Sequence, residues 1–225
     1  MADETTPTAA PRWWVIALVI LGIAALAFAI GRFSTFGSSG AAAAPASDSA
    51  DAGFARDMQT HHAQAVDMAM EIHRKTDDPE LRVLAYDIAT AQAAQKGEMY
   101  DWLVKWGLPQ TGGPLMAWMS GSDAGHGAHG GSSDAAATDE ELRAAMGMAT
   151  EDEIAALRAA TGNDADCLFL ELMIRHHEGA IPMAEAMIEL GSDPRAIAVA
   201  QSMKEGQSAE IDAMLAMQLR LGCTG

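Results

Sequence analysis

The sequence has little positive charge. It carries 14 lysine and arginine residues against 31 aspartate and glutamate residues, which gives a formal net charge of −17. Proteins that bind nucleic acid place positive charge against the phosphate backbone, and this chain has no basic patch. The composition therefore argues against nucleic acid as a partner, whereas its excess of carboxylates attracts cations.

Large aromatic side chains are also scarce, with five phenylalanines and two tyrosines against fifteen methionines. Methionine is flexible and specifies the packing of a core less well than leucine or phenylalanine does. The bias toward methionine therefore needs a reason of its own.

One stretch lacks charge altogether. Residues 13–30 read WWVIALVILGIAALAFAI between Arg12 and Arg32, and about 18 to 20 apolar residues cross the hydrocarbon core of a bilayer. We therefore expect a short tail at residues 1–12 and a single transmembrane anchor at residues 13–31. A cleaved secretory signal is the alternative, because small residues follow the apolar block, although the apolar part of a signal typically has about 7 to 15 residues.

The rest of the chain repeats itself, as MQTHHAQAVDMA at Met58 and MIRHHEGAIPMA at Met173 illustrate (173 − 58 = 115 residues apart). In each half, a segment with apolar residues at helical spacing is followed by a second such segment after a short connection. Two αα-hairpins, residues 53–107 and 166–223, are thus predicted. They can bury their apolar stripes by packing together as an all-α four-helix bundle over residues 53–225.

A flexible linker rich in Ser, Gly, Ala and Asp is expected before the bundle, at residues 32–52. Between the hairpins, the sequence predicts a loop rich in Gly, His and Met at residues 110–137 and short helices at residues 138–162. Two capping boxes mark the starts of these short helices. They pair Thr138 with Glu141 and Thr150 with Glu153.

Polar residues occupy positions where the second helix of each hairpin should be buried. Gln92 and Gln95 lie on the inner stripe of the first hairpin, and Gln207 and Glu210 lie at the equivalent positions of the second. A buried amide or carboxylate without a partner costs about 1 to 3 kcal/mol. We expect these groups to contact the histidines, a metal ion or water.

Four of the seven histidines form two adjacent pairs. Adjacent helical residues diverge by about 100°, so one ring of each pair should enter the core while the other lies toward the flank. Methionines precede the core-facing ring by three residues and follow it by seven. Imidazole binds Cu(II) or Zn(II) and the soft thioether favours Cu(I), so the pattern predicts a copper site, with zinc as a second candidate. The candidate ligands in the bundle are Met58, His61, His62, Met68, Met99, Met173, His176, His177, Met183, Glu210 and Met214.

The first alternative is a structural or interaction bundle without metal, in which His61 donates to Gln95, His176 donates to Glu210 and the methionines fill gaps. A ferritin-like di-iron oxidase is the enzymatic alternative, but its sites need Glu-x-x-His pairs. No glutamate lies three residues before any of the paired histidines, and only Glu210 is expected on an inner stripe. We therefore expect no catalytic activity.

The segment between the hairpins carries a second group of soft ligands. Methionine in a flexible segment has no core to fill, so capture of a soft metal explains it better, although low-complexity segments often produce false matches. The candidates for this second site are Met116, Met119, His126, His129, Met146 and Met148.

Cys167 and Cys223 are the only cysteines of the chain. They lie at neighbouring ends of the second antiparallel hairpin, so a disulfide between them is predicted. A structural disulfide persists outside the cytoplasm, which would place the folded domain on the extracytoplasmic side of the membrane. Two unrelated thiols, or a pair of soft copper ligands, are the alternatives.

The stretches FARDMQTHHAQAVDMA, FLELMIRHHEGAIPMA and MGMATEDEIAALRAATG resemble the family known as domain of unknown function 305, which is placed in the ferritin-like superfamily. The resemblance covers residues 53–225. It implies a secreted or membrane-tethered four-helix bundle, and some members are associated with copper binding and copper tolerance. No catalytic activity is general to the family. By the family motif, both histidine pairs and the methionines that flank them carry over as candidate ligands.

The two halves depart from each other in one respect. Gln92 and Gln95 make the first half less anionic than the second, where Glu210 supplies a carboxylate, so we do not expect two equivalent sites. Taken together, the sequence predicts an extracytoplasmic protein, held by a single-pass anchor or secreted after cleavage, that binds and sequesters copper. A protein partner and the oligomeric state stay open.

Overall fold

The computed structural model of the protein describes residues 44–121 and 137–223. This part of the chain contains six α-helices, one 3-10 turn and no β-strand, which confirms the all-α prediction. We number the helices in chain order. They are α1 (Ala50–Lys75), α2 (Pro79–Lys105), α3 (Asp139–Ala145), α4 (Glu151–Ala159), α5 (Gly162–Leu190) and α6 (Pro194–Leu221), and the 3-10 turn covers Ala117–Gly121.

Side-chain caps define the start of α1, α2 and α6. Ser49 accepts a hydrogen bond from the N–H of Ala52 in α1, and an aspartate cap followed by proline begins both α2 and α6. Proline suits the first position of a helix because its missing N–H would have no partner there. The first helix begins at Ala50, inside the linker predicted for residues 32–52, because Ser49 caps it and Asp51 and Ala52 are already buried.

The helix α1 packs antiparallel to α5 at the centre of the bundle. The carboxylate of Asp51, at the start of α1, accepts hydrogen bonds from the backbone N–H groups of Ser192 at 3.0 Å and Asp193 at 2.8 Å, just after the end of α5. The remaining helix of each hairpin packs on its own partner, α2 on α1 and α6 on α5. The two hairpins are therefore joined mainly through α1 and α5.

Ion pairs link α2 to α6 at both ends of the bundle. Arg195 in the first turn of α6 contacts Glu98 of α2 at 2.5 Å, and Arg220 in the last turn of α6 contacts Asp78, the cap of α2, at 2.6 Å. Because the start of each helix meets the end of the other, α2 and α6 are antiparallel, and the four long helices form a closed antiparallel bundle.

The two hairpins repeat each other in structure as they do in sequence. Adding 115 residues to the bounds of α2 gives 194–220, and α6 covers Pro194–Leu221. The same shift carries the end of α1 from Lys75 onto Leu190, where α5 ends. The bundle therefore consists of two equivalent halves.

The predicted short helices α3 and α4 are present, and both capping boxes form as expected. The side chain of Lys75, at the end of α1, holds the end of α4 in place. Its Nζ donates to the backbone carbonyls of Leu157, Arg158 and Ala160 at 2.6 to 3.2 Å.

The methionines of the predicted second site, which were expected in or beside a flexible segment, are packed in the core. Asp57 of α1 fixes the turn that carries two of them, because its carboxylate accepts hydrogen bonds from the N–H of Met116 at 2.8 Å and from Nε1–H of Trp118 at 2.9 Å. The prediction that these side chains have no core to pack in is wrong. It was based on the glycine-rich composition around them, which does not show that they are buried. Their exposed fractions are 4% for Met116, 2% for Met119, 0% for Met146 and 8% for Met148.

Two other predictions concern residues that the structure leaves undescribed. His126 and His129 lie outside the described residues, and so does the predicted anchor at residues 13–31. Among the helices of the described part of the chain, none is both long enough and apolar enough to cross a bilayer.

The predicted disulfide is present. Cys167, near the start of α5, is bonded to Cys223, directly after α6, with a Cα–Cα distance of 5.4 Å. The bond closes a loop across the open end of the second hairpin, and the sequence separation of its cysteines is 56.

Replacing both cysteines by alanine should lower the free energy of unfolding by about 2 to 4 kcal/mol, because the unfolded chain regains the freedom that the closed loop removes. Urea unfolding followed by circular dichroism measures the change. The single Cys167→Ala variant is the matched control and should be as unstable as the double variant. Wild-type protein whose unfolding midpoint is the same with and without reductant would contradict the prediction.

Candidate metal centre

The four paired histidines form one layer at the middle of the bundle, which we call the histidine layer (His61, His62, His176 and His177). All four side chains have an exposed fraction of 0%. The ring of each pair that lies toward a flank is buried as well, because the flanks of α1 and α5 are covered by α2 and α6 on one side and by the segment between the hairpins on the other.

The first histidines of the two motifs meet each other. The ring centroids of His61 and His176 are 3.6 Å apart, with an angle of 31° between the rings. His61 also donates from Nε2 to the backbone carbonyl of Met146 at 2.9 Å. The two halves of the bundle therefore contact each other through equivalent imidazoles.

The second histidines contact the polar residues of the neighbouring helices. Nε2 of His62 donates to Oε1 of Gln95 at 2.8 Å, and Nε2 of His177 donates to Oε2 of Glu210 at 2.7 Å. The predicted alternative gave these partners to His61 and His176, and that assignment is wrong by one residue. The one-residue step of about 100° turns the second ring of each pair toward α2 or α6.

These hydrogen bonds fix which ring nitrogen carries the proton. An oxygen acceptor on Nε2 requires Nε2–H, which leaves Nδ1 as the nitrogen with the free lone pair. In His61, His62 and His177 this Nδ1 atom is buried and has no hydrogen-bond partner, and His176 has no partner at either ring nitrogen. The layer therefore presents a set of unused imidazole lone pairs.

Buried amides next to the layer are unsatisfied as well. Both side-chain polar atoms of Gln92 and the Oε1 atom of Gln207, at the equivalent position, have no partner. An unsatisfied buried group costs about 1 to 3 kcal/mol, so a concentration of them in one interior indicates a place for a ligand or for water.

Burial favours the neutral form of three of the four imidazoles. It lowers the pKa of His61 to about 4 and the pKa of His62 to about 3, and it holds the pKa of His176 well below its ordinary range. Burial is the largest cause in each case, and for His62 and His176 a charge on His61 would lower the pKa further. At neutral pH these rings are therefore in the form that binds metals.

The candidate methionines form two equivalent sets on opposite sides of the histidine layer. Each set takes one methionine from α1, one from α5, and one from either α2 or α6, and the shift of 115 residues exchanges the two sets. All six side chains are at most 1% exposed. The first set is Met58, Met99 and Met183, and the second is Met173, Met214 and Met68.

Carboxylates contribute little to the centre. Glu210 bonds a histidine of the layer, and its side chain is 26% exposed. Within residues 44–121 and 137–223, no group of three or more His, Cys, Asp or Glu side chains is arranged to hold a metal ion. Among the described residues, the buried donors that accompany these imidazoles are therefore mainly thioethers.

The sequence did not reveal what covers the histidine layer on its outer side. Residues 146–149 form a covering segment: besides the bond from His61 to Met146, the side chain of Gln64 pairs with the backbone of Ala149, as donor at 2.8 Å and acceptor at 2.7 Å. On α5 the segment approaches so closely that a Cβ atom at Gly179 would lie 2.0 Å from the carbonyl oxygen of Met146. A glycine inside a predicted helix was the available signal, since it often marks close backbone contact.

Thus the chain is an antiparallel helical bundle whose interior holds buried imidazoles and thioethers in place of a purely apolar core. The model of the family domain of unknown function (DUF305) matches residues 51–218. The chain therefore belongs to the DUF305 family.

Solved structures share this fold over most of the chain. A DUF305 protein from Streptomyces coelicolor is 38% identical, with a TM-score of 0.67, and the match covers 79% of this chain and 95% of that one. A DUF305 fragment from Deinococcus radiodurans is 30% identical, with a TM-score of 0.61 and coverage of 76% and 96%. A search of curated protein sequences found no match.

The protein CopM is a more distant structural neighbour. Its Cu(II)-bound form is 26% identical to this chain, with a TM-score of 0.55 and coverage of 76% of this chain and 97% of that one. Its Cu(I)-bound form is 25% identical, with a TM-score of 0.54 and coverage of 76% and 96%.

Replacing Gly179 by alanine should destabilise the protein by about 1 to 3 kcal/mol, because the new methyl group would collide with the backbone of the covering segment. Gly206→Ala, inside α6, is the matched control: no atom lies within 4 Å of its Cβ position. The free energy of unfolding of the control should rise by about 0.5 to 1 kcal/mol, because alanine is a better helix former than glycine. The midpoints of urea unfolding measure both effects. Equal midpoints for the two variants would show that the covering segment is not in tight steric contact with α5 at Gly179.

Proposed function

We propose that this protein binds and sequesters copper outside the cytoplasm, through imidazole and thioether ligands inside the bundle. The observation that carries the proposal is the set of buried Nδ1 atoms in the histidine layer, which have lone pairs and no partners. A core of this kind is unfavourable by itself, and a ligand that accepts those lone pairs removes the cost.

The kind of ligand follows from the donor set. Neutral imidazole suits Cu(II), Cu(I) and zinc, whereas thioether sulfur favours Cu(I). Six buried methionines next to four buried imidazoles therefore favour copper over zinc, and they favour Cu(I) as the form bound most tightly. The likeness to CopM, which has been crystallised in Cu(I)- and Cu(II)-bound forms, supports the same ion.

The two halves should bind with different strength. His177 donates to a carboxylate, whereas its equivalent, His62, donates to the neutral amide of Gln95. A carboxylate behind a ligating imidazole fixes the ring and raises the basicity of its free nitrogen. We propose that His177 supplies the stronger nitrogen ligand, and that the ligands nearest to it form the tighter site.

The proposed location rests on the disulfide, because a bond such as Cys167–Cys223 persists in oxidising compartments and is rare in the cytosol. We propose that the N-terminal apolar segment holds the domain at the outer face of the membrane, or that it directs secretion and is then removed. We propose no catalytic step, since the four imidazoles of the histidine layer have no exposed surface.

A bundle without metal is the second candidate. It is favoured by the hydrogen bonds of His61, His62 and His177, which give each of these rings a structural partner. In that case water molecules would satisfy the remaining nitrogen atoms.

The main test exchanges thioethers for isosteric hydrocarbons. The double variant Met58→Leu and Met99→Leu should weaken Cu(I) binding at least tenfold and Cu(II) binding less, because each exchange removes a sulfur at nearly constant volume. Anaerobic titration against a competing chelator measures Cu(I), and X-ray absorption counts the sulfur neighbours.

The matched control for this test is Met187→Leu with Met203→Leu. Both methionines belong to the same apolar cluster, but Ile72 and Ile88 replace them at the equivalent positions of the first half, which indicates a packing role. The control should bind copper like the wild type. Equal losses in both double variants, or tighter binding of zinc than of Cu(I), would contradict the proposal.

The carboxylate behind His177 provides a second test. Glu210→Gln should weaken the tighter copper site by about 10- to 100-fold without changing the number of ions bound, because an imidazole loses its anionic partner. The converse variant, Gln95→Glu, should strengthen the weaker site. If Glu210→Gln leaves both affinities unchanged, His177 is not a ligand.

A further inference from the structure

The outer face of α2 carries an exposed apolar stripe, which we call the α2 stripe. Its residues recur at alternating steps of three and four positions, so they lie on one side of the helix, opposite the side that packs on α1. The four largest are more than half exposed, from 53% for Tyr86 to 61% for Val83. The stripe consists of Val83, Tyr86, Thr90, Ala93, Gly97, Tyr100 and Val104. Thr90 is its one polar member, and its hydroxyl donates to the backbone carbonyl of Tyr86 at 2.9 Å.

The middle of this stripe is specific to the first hairpin. At the equivalent positions, the middle of α6 carries Gln201, Glu205, Ser208 and Asp212, which make it polar, whereas exposed leucines occur only near the end of that face, at Leu215 and Leu219. The middle of the α2 stripe is instead small: Ala93 and Gly97 lie there, and no atom is within 4 Å of a Cβ position at Gly97. Small residues flanked by tyrosines let a second helix approach closely and cover the rings.

Charges flank the stripe with opposite sign on its two sides. Arg82 and Lys96 each directly precede a residue of the stripe, whereas Asp87 and Asp101 each directly follow one, so the two signs lie on opposite sides. In a parallel pair of helices, a residue that precedes the stripe contacts the residue five positions later on the partner helix. Arg82 would then meet Asp87 of a second copy, and Lys96 would meet its Asp101.

An antiparallel pair would place like charges together, because each flank then faces the same flank of the other copy. Arg82 would meet a lysine and Asp87 an aspartate. The current partner of Asp101 is Lys105, one turn further along the same exposed face. Such an exposed ion pair within one helix is weak. Asp101 can therefore change its partner from Lys105 to Lys96 of a second copy at little cost in free energy.

We propose that two copies of this chain associate side by side through their α2 stripes, with the two α2 helices parallel. The two-fold axis runs along the helices, so each opposite-charge contact occurs twice. Both copies then begin α1 at the same end of the dimer. The association uses no residue of the histidine layer and is independent of copper.

The test is the mass of the full chain in solution by sedimentation equilibrium, with chelator present to remove metal. The wild type should form a dimer, and Ala93→Glu should raise the dissociation constant at least tenfold by placing a charge beside the two-fold axis. Ser208→Glu, at the equivalent exposed position of α6, is the matched control and should leave the dimer intact. A wild-type chain that stays monomeric at high concentration, or a dimer that Ala93→Glu does not weaken, would overturn the proposal.

Charge reversal tests the orientation. The variant Lys96→Glu should weaken the parallel dimer at least tenfold. Mixing it with the Asp101→Lys variant should restore association as a heterodimer, because the two reversed charges then face each other with opposite sign. In an antiparallel dimer Lys96→Glu would instead meet Arg82 of the other copy and strengthen association. That result would overturn the parallel arrangement.

Discussion

The structure depends on the burial of imidazole. Four histidine rings without any exposed surface must be enclosed by groups that either bond their nitrogens or fill the space beside them. The surrounding elements can be understood from that need: α2 and α6 supply Gln95 and Glu210 on one side, and the covering segment supplies the carbonyl of Met146 on the other. The close contact at Gly179 follows as well, because a carbonyl must come near the layer to reach it.

The internal repeat determines where this chemistry is located. Equivalent residues of two antiparallel hairpins meet at the middle of the bundle, so the first histidine of one motif stacks on the first histidine of the other. Methionines before and after each pair then fall into two mixed sets, each drawn from both halves. Neither hairpin holds a complete set by itself, so the donor arrangement exists only in the assembled bundle.

Much of the fold could be predicted because its determinants are local. The Asp–Pro starts of α2 and α6, the two capping boxes and the shift of 115 residues are all visible in the sequence, and the cysteine pair follows from the hairpin. The partners of the histidines could not be predicted to one residue, since the rotation of α1 and α5 against their neighbours is set by packing over the whole bundle. Composition also misled: Met116 and Met119 lie beside glycines, yet Asp57 holds their turn against the core.

The covering of the histidine layer bears on rates as well as on affinity. An ion cannot reach rings that have no exposed surface while the bundle is closed, so each uptake requires a local opening in which contacts such as that between Gln64 and Ala149 break. For the copper binding proposed above, uptake would be limited by how often the protein opens and not by how often an ion arrives. Release would pass through the same opening, so it would be slow even from a site of modest equilibrium affinity.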